Sequence, residues 1–374
     1  MMALNHEVTD RVPMDFGGAS PTRIKRAAYE RLLEHLGMQS TLGQGSVGEL
    51  SDVIDPSEAV LRRFDVDFRG VYLKAPESCR PVPLSDDAFR DEYGVVWVRA
   101  RKGLNFIVNR GALQKDDLTL ADVERHKWPD GKDPGWAKGL KEEIARLRAE
   151  TDCAIVLNLR SSVVERTLFL RGFNEFLTDL MLNPALVQAV LEHMLQYASD
   201  VANTTLSEVG DIVDVIEISD DMAWQDQPFF SPATFRKLVK PYLRRLVDTI
   251  KSRSRAKIVQ HNDGAIFELI PDLIDVGIDA INPVQVSARG MGDTRKLKAA
   301  FGDNMCFWGG VDTHKVLPFG SQREVAAEVR TRIAHLGAGG GLVLASVHNI
   351  QDDVPPENVA AMFDTARACK VRAR

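Results

Sequence analysis

The chain has 374 residues, 44% of them hydrophobic and 27% charged, a balance that suits a water-soluble globular fold and excludes a fibrous or disordered chain. Its formal net charge of −6 speaks against a nucleic-acid-binding face, which needs a concentrated basic patch. The nearest thing to one, Lys251-Ser252-Arg253-Ser254-Arg255-Ala256-Lys257, reads as a solvated helix end and the loop after it.

Cys79, Cys153, Cys306 and Cys369 form neither a CxxC pair nor a zinc-finger spacing. Residues 1–12 carry charges and no long apolar segment, and no window reaches the length of a membrane span. The chain therefore reads as cytoplasmic, with no membrane partner. No linker, repeat or low-complexity tract divides it, which predicts one domain over residues 1–374.

In chain order, strands are expected first at residues 11–16 and 66–73. Residues 93–98 and 104–109 alternate with period two around Lys102-Gly103, which predicts a β-hairpin insertion that could cap a barrel mouth or support a homodimer contact. The strand at 153–159 closes on Asn158, with Arg160 just beyond it. The strand at 212–219 carries Glu217 and runs into Asp220, Asp221, Trp224 and Gln225. A helix at 232–252, a strand at 257–261, a helix at 265–276 and a strand at 279–282 follow. The series ends with a helix at 294–301, a strand at 305–309, a helix at 322–336 and a strand at 342–348. Gly337-Ala338-Gly339-Gly340-Gly341 precedes a strand rather than a helix, so it reads as a connection and not as a phosphate cradle.

Strand–helix alternation implies parallel strands joined by helical crossovers. Eight such strands predict an α/β fold of the closed (β/α)8 TIM-barrel type with an N-terminal extension. An open doubly wound sheet would place a glycine-rich loop after its first strand, and this chain has none there.

The chemistry is expected where strands end, because barrels hold their active sites at that face. His261-Asn262-Asp263-Gly264 follows one apolar run, and His348 closes another. Two imidazoles and a carboxylate suit zinc or ferrous iron better than magnesium or calcium. Asp263 before Gly264 also has a plainer reading, as a turn former or the cap of a helix starting near Ala265. Asp220 and Asp221 offer a ligand, a base or a substrate anchor, and one of the two is expected to be a cap. Arg160 could hold an anionic substrate group or pair at the surface.

Several stretches resemble, in order along the chain, motifs of the uroporphyrinogen decarboxylase-like superfamily. They are Asp10-Arg11-Val12-Pro13-Met14-Asp15-Phe16-Gly17-Gly18, Arg171-Gly172-Phe173, and Ser231-Pro232 through Lys240-Pro241-Tyr242. Gly277-Ile278-Asp279-Ala280-Ile281-Asn282-Pro283-Val284-Gln285, Trp308-Gly309-Gly310-Val311-Asp312 and His348-Asn349-Ile350-Gln351 through Pro355-Pro356-Glu357-Asn358 continue the series. The resemblance implies a single-domain (β/α)8 barrel and one of two chemistries. True decarboxylases carry an Arg-Gln-Ala-Gly-Arg loop, where this chain has Asp15-Phe16-Gly17-Gly18-Ala19-Ser20 and so lacks that cation cluster. The corrinoid- and coenzyme-M-linked methyltransferases carry a zinc site of the form His-x-Cys-Gly with a later Cys. Here Asp263 stands for the first Cys and His348 for the second, a harder donor set that suits an oxygen-bearing substrate better than the coenzyme M thiol.

The expectation is thus a metal-dependent methyltransferase that demethylates a small methoxylated compound and passes the methyl group to the cobalt of a separate corrinoid protein. Zn2+ would sit on His261, Asp263 and His348, with Glu217 or Asp221 completing the shell or acting as acid and base. Asn158, Arg160 and Gln225 would face the substrate. The alternative is a metal-free decarboxylase in which Asp221 or Asp15 stabilises a developing cation and Arg160 holds the carboxylate. His-x-Asp with a distant His is also the ligand order of ferrous 2-oxoglutarate oxygenases. Those are jelly rolls with an arginine about ten residues past the second His, whereas the first arginine after His348 is Arg367. A non-catalytic barrel is compatible with the loss of both cysteines, although both replacements are themselves competent ligands.

Overall fold

The structure is a computed structural model that describes residues 1–39, 52–101, 105–159 and 161–371. Seven parallel strands curl into a barrel: β1 (Phe68–Tyr72), β2 (Ala154–Asn158), β3 (Val215–Ser219), β4 (Lys257–His261), β5 (Ala280–Asn282), β6 (Cys306–Val311) and β7 (Leu342–Ser346). Each strand pairs with the next in chain order. Helices fill the connections from β2 onward, as right-handed crossovers of a parallel sheet require.

The strand expected at 11–16 is present only as a bridging segment. It closes the ring without forming a ladder: Asp15 N donates to Leu344 O at 3.0 Å, Leu344 N to Pro13 O at 2.9 Å, and Asp67 N to Met14 O at 3.0 Å. The reason lies in its donors. Pro13 has no N–H, and the Met14 N–H goes to the Asp67 side chain at 2.7 Å. Arg11 grips the same carboxylate through two nitrogens, at 2.8 and 2.9 Å.

The barrel lumen is packed by alternate strand residues, since successive side chains point to opposite faces. Phe68, Val156, Val215, Val259, Ala280, Cys306, Trp308, Val343 and Ala345 form one buried cluster with Leu4 and Ala19. Trp308 is its largest member, fully buried and 4.5 Å from Phe68 between ring centroids. A larger apolar layer lies between the strands and the surrounding helices.

Two expected helices differ in detail. The helix at 232–252 runs as Pro232–Thr234, a π-helical turn Phe235–Val239 and Lys240–Lys251, the widened turn falling just before Pro241, which cannot donate to the preceding turn. The helix expected from 265 begins only at Ile270, because the Ala265 N–H is drawn to Trp224 O at 2.8 Å. Helix Gln322–Leu336 is as expected and opens on a capping box of Ser321 and Glu324.

The expected hairpin pairs Val96–Val98 with Ile107–Arg110, and its turn at Lys102-Gly103 lies outside the described residues. It belongs to a larger antiparallel sheet with Val82–Ser85 and Ala88–Arg90, strands the exposed, weakly alternating sequence there did not suggest. All four cysteines are free thiols. Among the described residues no helix is long and apolar enough to cross a membrane.

Candidate metal centre and active site

The same alternation that packs the lumen builds its polar upper layer. Two places beyond Val156, Val215, Val259 and Ala280 come Asn158, Glu217, His261 and Asn282, which therefore share the inward face. The pairing sets Asn158 beside Glu217, and His261 between Ser219 and Asn282. All four inward residues are buried.

His261 ends β4, and the chain then turns through Asn262 and Asp263. Gly264 makes that turn possible: its φ is +95°, and a Cβ there would lie 2.6 Å from Trp224 O. The turn is pinned by Gly264 N donating to Gln285 Oε1 at 2.6 Å and Asp263 N donating to Asp221 Oδ1 at 2.7 Å. His348 arrives two residues past β7. The three side chains offer ligand atoms that all lie within 4.8 Å of one another. His261 Nε2 is 3.8 Å and His348 Nε2 4.0 Å from the same Asp263 Oδ2.

Those separations exceed a hydrogen bond. They approach the spacing of about 3.4 Å between donors held by a tetrahedral ion at about 2.1 Å. Asp263 supplies a second observation. Its Oδ1 is buried and has no hydrogen-bond partner, and its carboxylate caps no helix, since the next helix starts six residues after Gly264 at Ile270. A buried carboxylate oxygen left unmatched is costly, and a cation would match it. Two imidazoles and a carboxylate therefore fit a zinc ion with an open position.

His261 is oriented from behind. Its Nδ1 donates to Asn282 Oδ1 at 2.8 Å, while Asn282 Nδ2 donates to Trp308 O at 3.5 Å, which sets the amide with its oxygen toward the ring. Nε2 is left to face Asp263 and Asp221. Burial works against the His261 cation, but the charges of Asp263 and Asp221 and the Asn282 hydrogen bond outweigh it and raise the pKa to about 9. If Asn282 fixes the ligand this way, Asn282→Ala should weaken zinc binding about 10- to 100-fold in a competition titration with a chromophoric chelator, with the fold unchanged.

The acidic step after β3 divides its labour. Asp220 is the cap: its carboxylate takes N–H groups from Val163, Val164 and Glu165 and the Ser162 hydroxyl, at 2.8 to 3.2 Å, at the start of helix Val164–Arg171. Asp221 is the residue near His261, at 3.9 Å from Nε2. The protein around Asp221 raises its pKa, against the pull of the His261 cation.

Glu165, in the first turn of that helix, was not singled out by the sequence. Burial and then the Asp221 charge raise its pKa to about 7. The one available signal was an acidic residue in the first helical turn after a strand end, a feature common in any helix.

The mouth above the three donors is an open pocket of about 480 Å³ lined by Asp263, His348, Trp224, Gln225, Gln285 and Asn349 among others. Gln225 stands exposed at its rim. Asn158 lies deeper and ties down the N-terminal loop, donating to Gly18 O at 2.9 Å and accepting from Ser20 N at 2.7 Å. Glu217 is buried in the same layer and contributes to the charge felt by His261. Arg160 lies outside the described residues. Asp15 is buried and accepts from Gly18 N, Ala19 N, the Thr22 hydroxyl and Trp308 Nε1, at 2.7 to 3.1 Å, so its carboxylate organises the loop from below.

A family model for uroporphyrinogen decarboxylase (URO-D) matches residues 106–369. Similar sequences include uroporphyrinogen decarboxylase of Hordeum vulgare, 25% identical over 186 residues that make up 49% of this chain and 52% of that protein. The chloroplastic uroporphyrinogen decarboxylase of Zea mays is also 25% identical over 186 residues, 49% of this chain and 44% of that one. The chain thus spans about half the length of the curated relatives it matches. Among solved structures, a methyltransferase from Methanosarcina mazei superposes with a TM-score of 0.63 at 19% identity, over 98% of this chain and 96% of the other, a likeness of fold.

Proposed function

The chain belongs to the uroporphyrinogen decarboxylase (URO-D) family, and on that premise we propose that it is a metal-dependent methyltransferase which demethylates a small methoxylated compound and delivers the methyl group to a separate corrinoid protein. The observation that carries this reading is the convergence of His261, Asp263 and His348 at the barrel mouth, with one oxygen of Asp263 buried and unmatched. Zinc bound there would act as a Lewis acid toward an ether oxygen, making the demethylated product a better leaving group.

The remaining work falls to the chain's own groups. Asn282 holds the His261 ring from Nδ1, and Asp221 holds the Asp263 backbone, so both donors keep their aim without a ligand. Glu165, with its pKa raised to about 7 and in the field of Asp221 and His261, would return a proton toward the site. The missing cation cluster in residues 15–20 disfavours a porphyrinogen with many carboxylates.

Elemental analysis of the purified protein should find about one zinc per chain, and the zinc protein should methylate a Co(I) corrinoid acceptor from 2-methoxyphenol. A protein that takes up no metal when zinc is supplied would overturn this reading in favour of metal-free decarboxylation. Because zinc must displace the His261 proton, apparent affinity should rise up to about tenfold per pH unit and level off above about 9. The same shift means that in the metal-free protein His261 stabilises the fold fully below 6.5, and that this contribution is lost as pH rises through about 9. Zinc titrations across that range, read by calorimetry with buffers of differing ionisation heat, check the slope and the released proton.

A further inference from the structure

We propose that the methoxyl group of the substrate is carried on an aromatic ring, and that Trp224 is the platform on which this ring stacks. The inference deepens the methyl-transfer reading and rests on it for the identity of the reacting group. Its basis is independent of the metal donors. Trp224 is 48% exposed, yet it lines the same pocket as Asp263 and His348 rather than the outer surface. A single exposed aromatic is ordinary on a surface, and what distinguishes Trp224 is that it lines the pocket that also holds two of the three donors.

The ring is braced from behind. Phe173 packs on it at 4.6 Å between centroids and Phe229 at 4.9 Å, the latter at 74° to it. Phe173 and Phe229 also meet each other at 5.0 Å, so three rings support one another. The backbone is fixed as well: Trp224 N donates to Gln227 O at 2.8 Å, and Trp224 O accepts from Ala265 N at 2.8 Å. That carbonyl lies against Gly264, whose absent Cβ would meet it at 2.6 Å. The backbone of Trp224 is thus tied to the very turn that carries Asp263.

A rigid, half-exposed indole beside a Lewis-acid site is useful to a substrate with a π-face and offers little to a small aliphatic methyl donor. The polar side of the pocket agrees. Gln225 and Asn349 line it with neutral amides suited to ring hydroxyl or ether oxygens, while the Gln285 amide is engaged by Gly264 and Ser287. A phenol is also the more acidic product, which eases departure of the oxygen.

The test compares binding of 2-methoxyphenol with that of 2-methoxycyclohexanol, which keeps the oxygens and lacks the aromatic ring. Ligand-observed NMR titrations would use the full-length, zinc-supplied protein and its Trp224→Leu and Trp224→Phe variants. The expected result is about tenfold tighter binding of the aromatic ligand, lost in Trp224→Leu and largely kept in Trp224→Phe, with zinc per chain the same in all three. Equal affinities in the parent, no binding of either ligand, or an aromatic preference that survives Trp224→Leu would each overturn the inference. Aromatic preference in a protein that holds no zinc would support the platform while overturning the methyl-transfer reading, so the two can fail separately.

Discussion

The His261→Ala variant is expected to fold as the parent does and to lose its zinc. Removing a partner that merely orients a zinc ligand already costs about 10- to 100-fold in affinity, and removing the ligand itself should cost at least about a hundredfold. His261 is the best placed of the three donors, buried at the end of a strand and held at Nδ1 by Asn282. The substitution removes volume at the lumen's polar layer and leaves the apolar cluster beneath it intact. Circular dichroism and elemental analysis of the same sample decide the matter. Zinc retained in full would move the metal site elsewhere, and a protein that aggregates would make His261 chiefly a structural residue.

A second large effect is expected at Trp308, through stability rather than chemistry. Its side chain fills the lumen, meets Phe68 at 4.5 Å, and donates from Nε1 to Asp15 Oδ2 at 2.9 Å. Trp308→Ala should cost about 3–5 kcal/mol in urea unfolding, since a fully buried indole leaves a cavity that the strands cannot close. Trp308→Phe keeps an aromatic partner for Phe68 and removes the hydrogen bond to a buried carboxylate with a smaller loss of volume, so about 1–3 kcal/mol is expected. Equal losses in the two variants would mean that the Asp15 bond, and not the packing, dominates. Asp15 holds the loop that closes the barrel, so the same variants report whether residues 13–15 act as the eighth stave.

The seven strands and most helices of the barrel are legible in the chain because most strands are short apolar runs, several rich in Val and Ile, of the length a buried parallel strand needs. Residues 11–16 mislead because their apolar pattern is that of a strand, while Pro13 and the Asp67–Met14 bond remove the ladder. The helix foreseen at Ala265 starts later because Ala265 is paired with Trp224, forty-one positions earlier, which no local pattern records.

At the site, the sequence alone determined the donor types and set them near strand ends, although the last strand stops at Ser346 rather than at His348. Period-two alternation already aims Asn158, Glu217, His261 and Asn282 at one lumen, and two imidazoles with a carboxylate already choose a class of metal. Only the tertiary structure decided which groups meet. Asp220 and Asp221 are equal as letters, yet one caps helix Val164–Arg171 and the other faces His261. Glu165 is ordinary in its helix, and only folding sets it in the field of Asp221. Trp224 is only a residue after a strand end in the sequence, and folding sets it against Phe173 and Phe229 in the wall of the pocket. The division has a physical cause: backbone periodicity and donor chemistry are local properties, whereas burial, electric field and the distance between loops exist only once the ring of strands has closed.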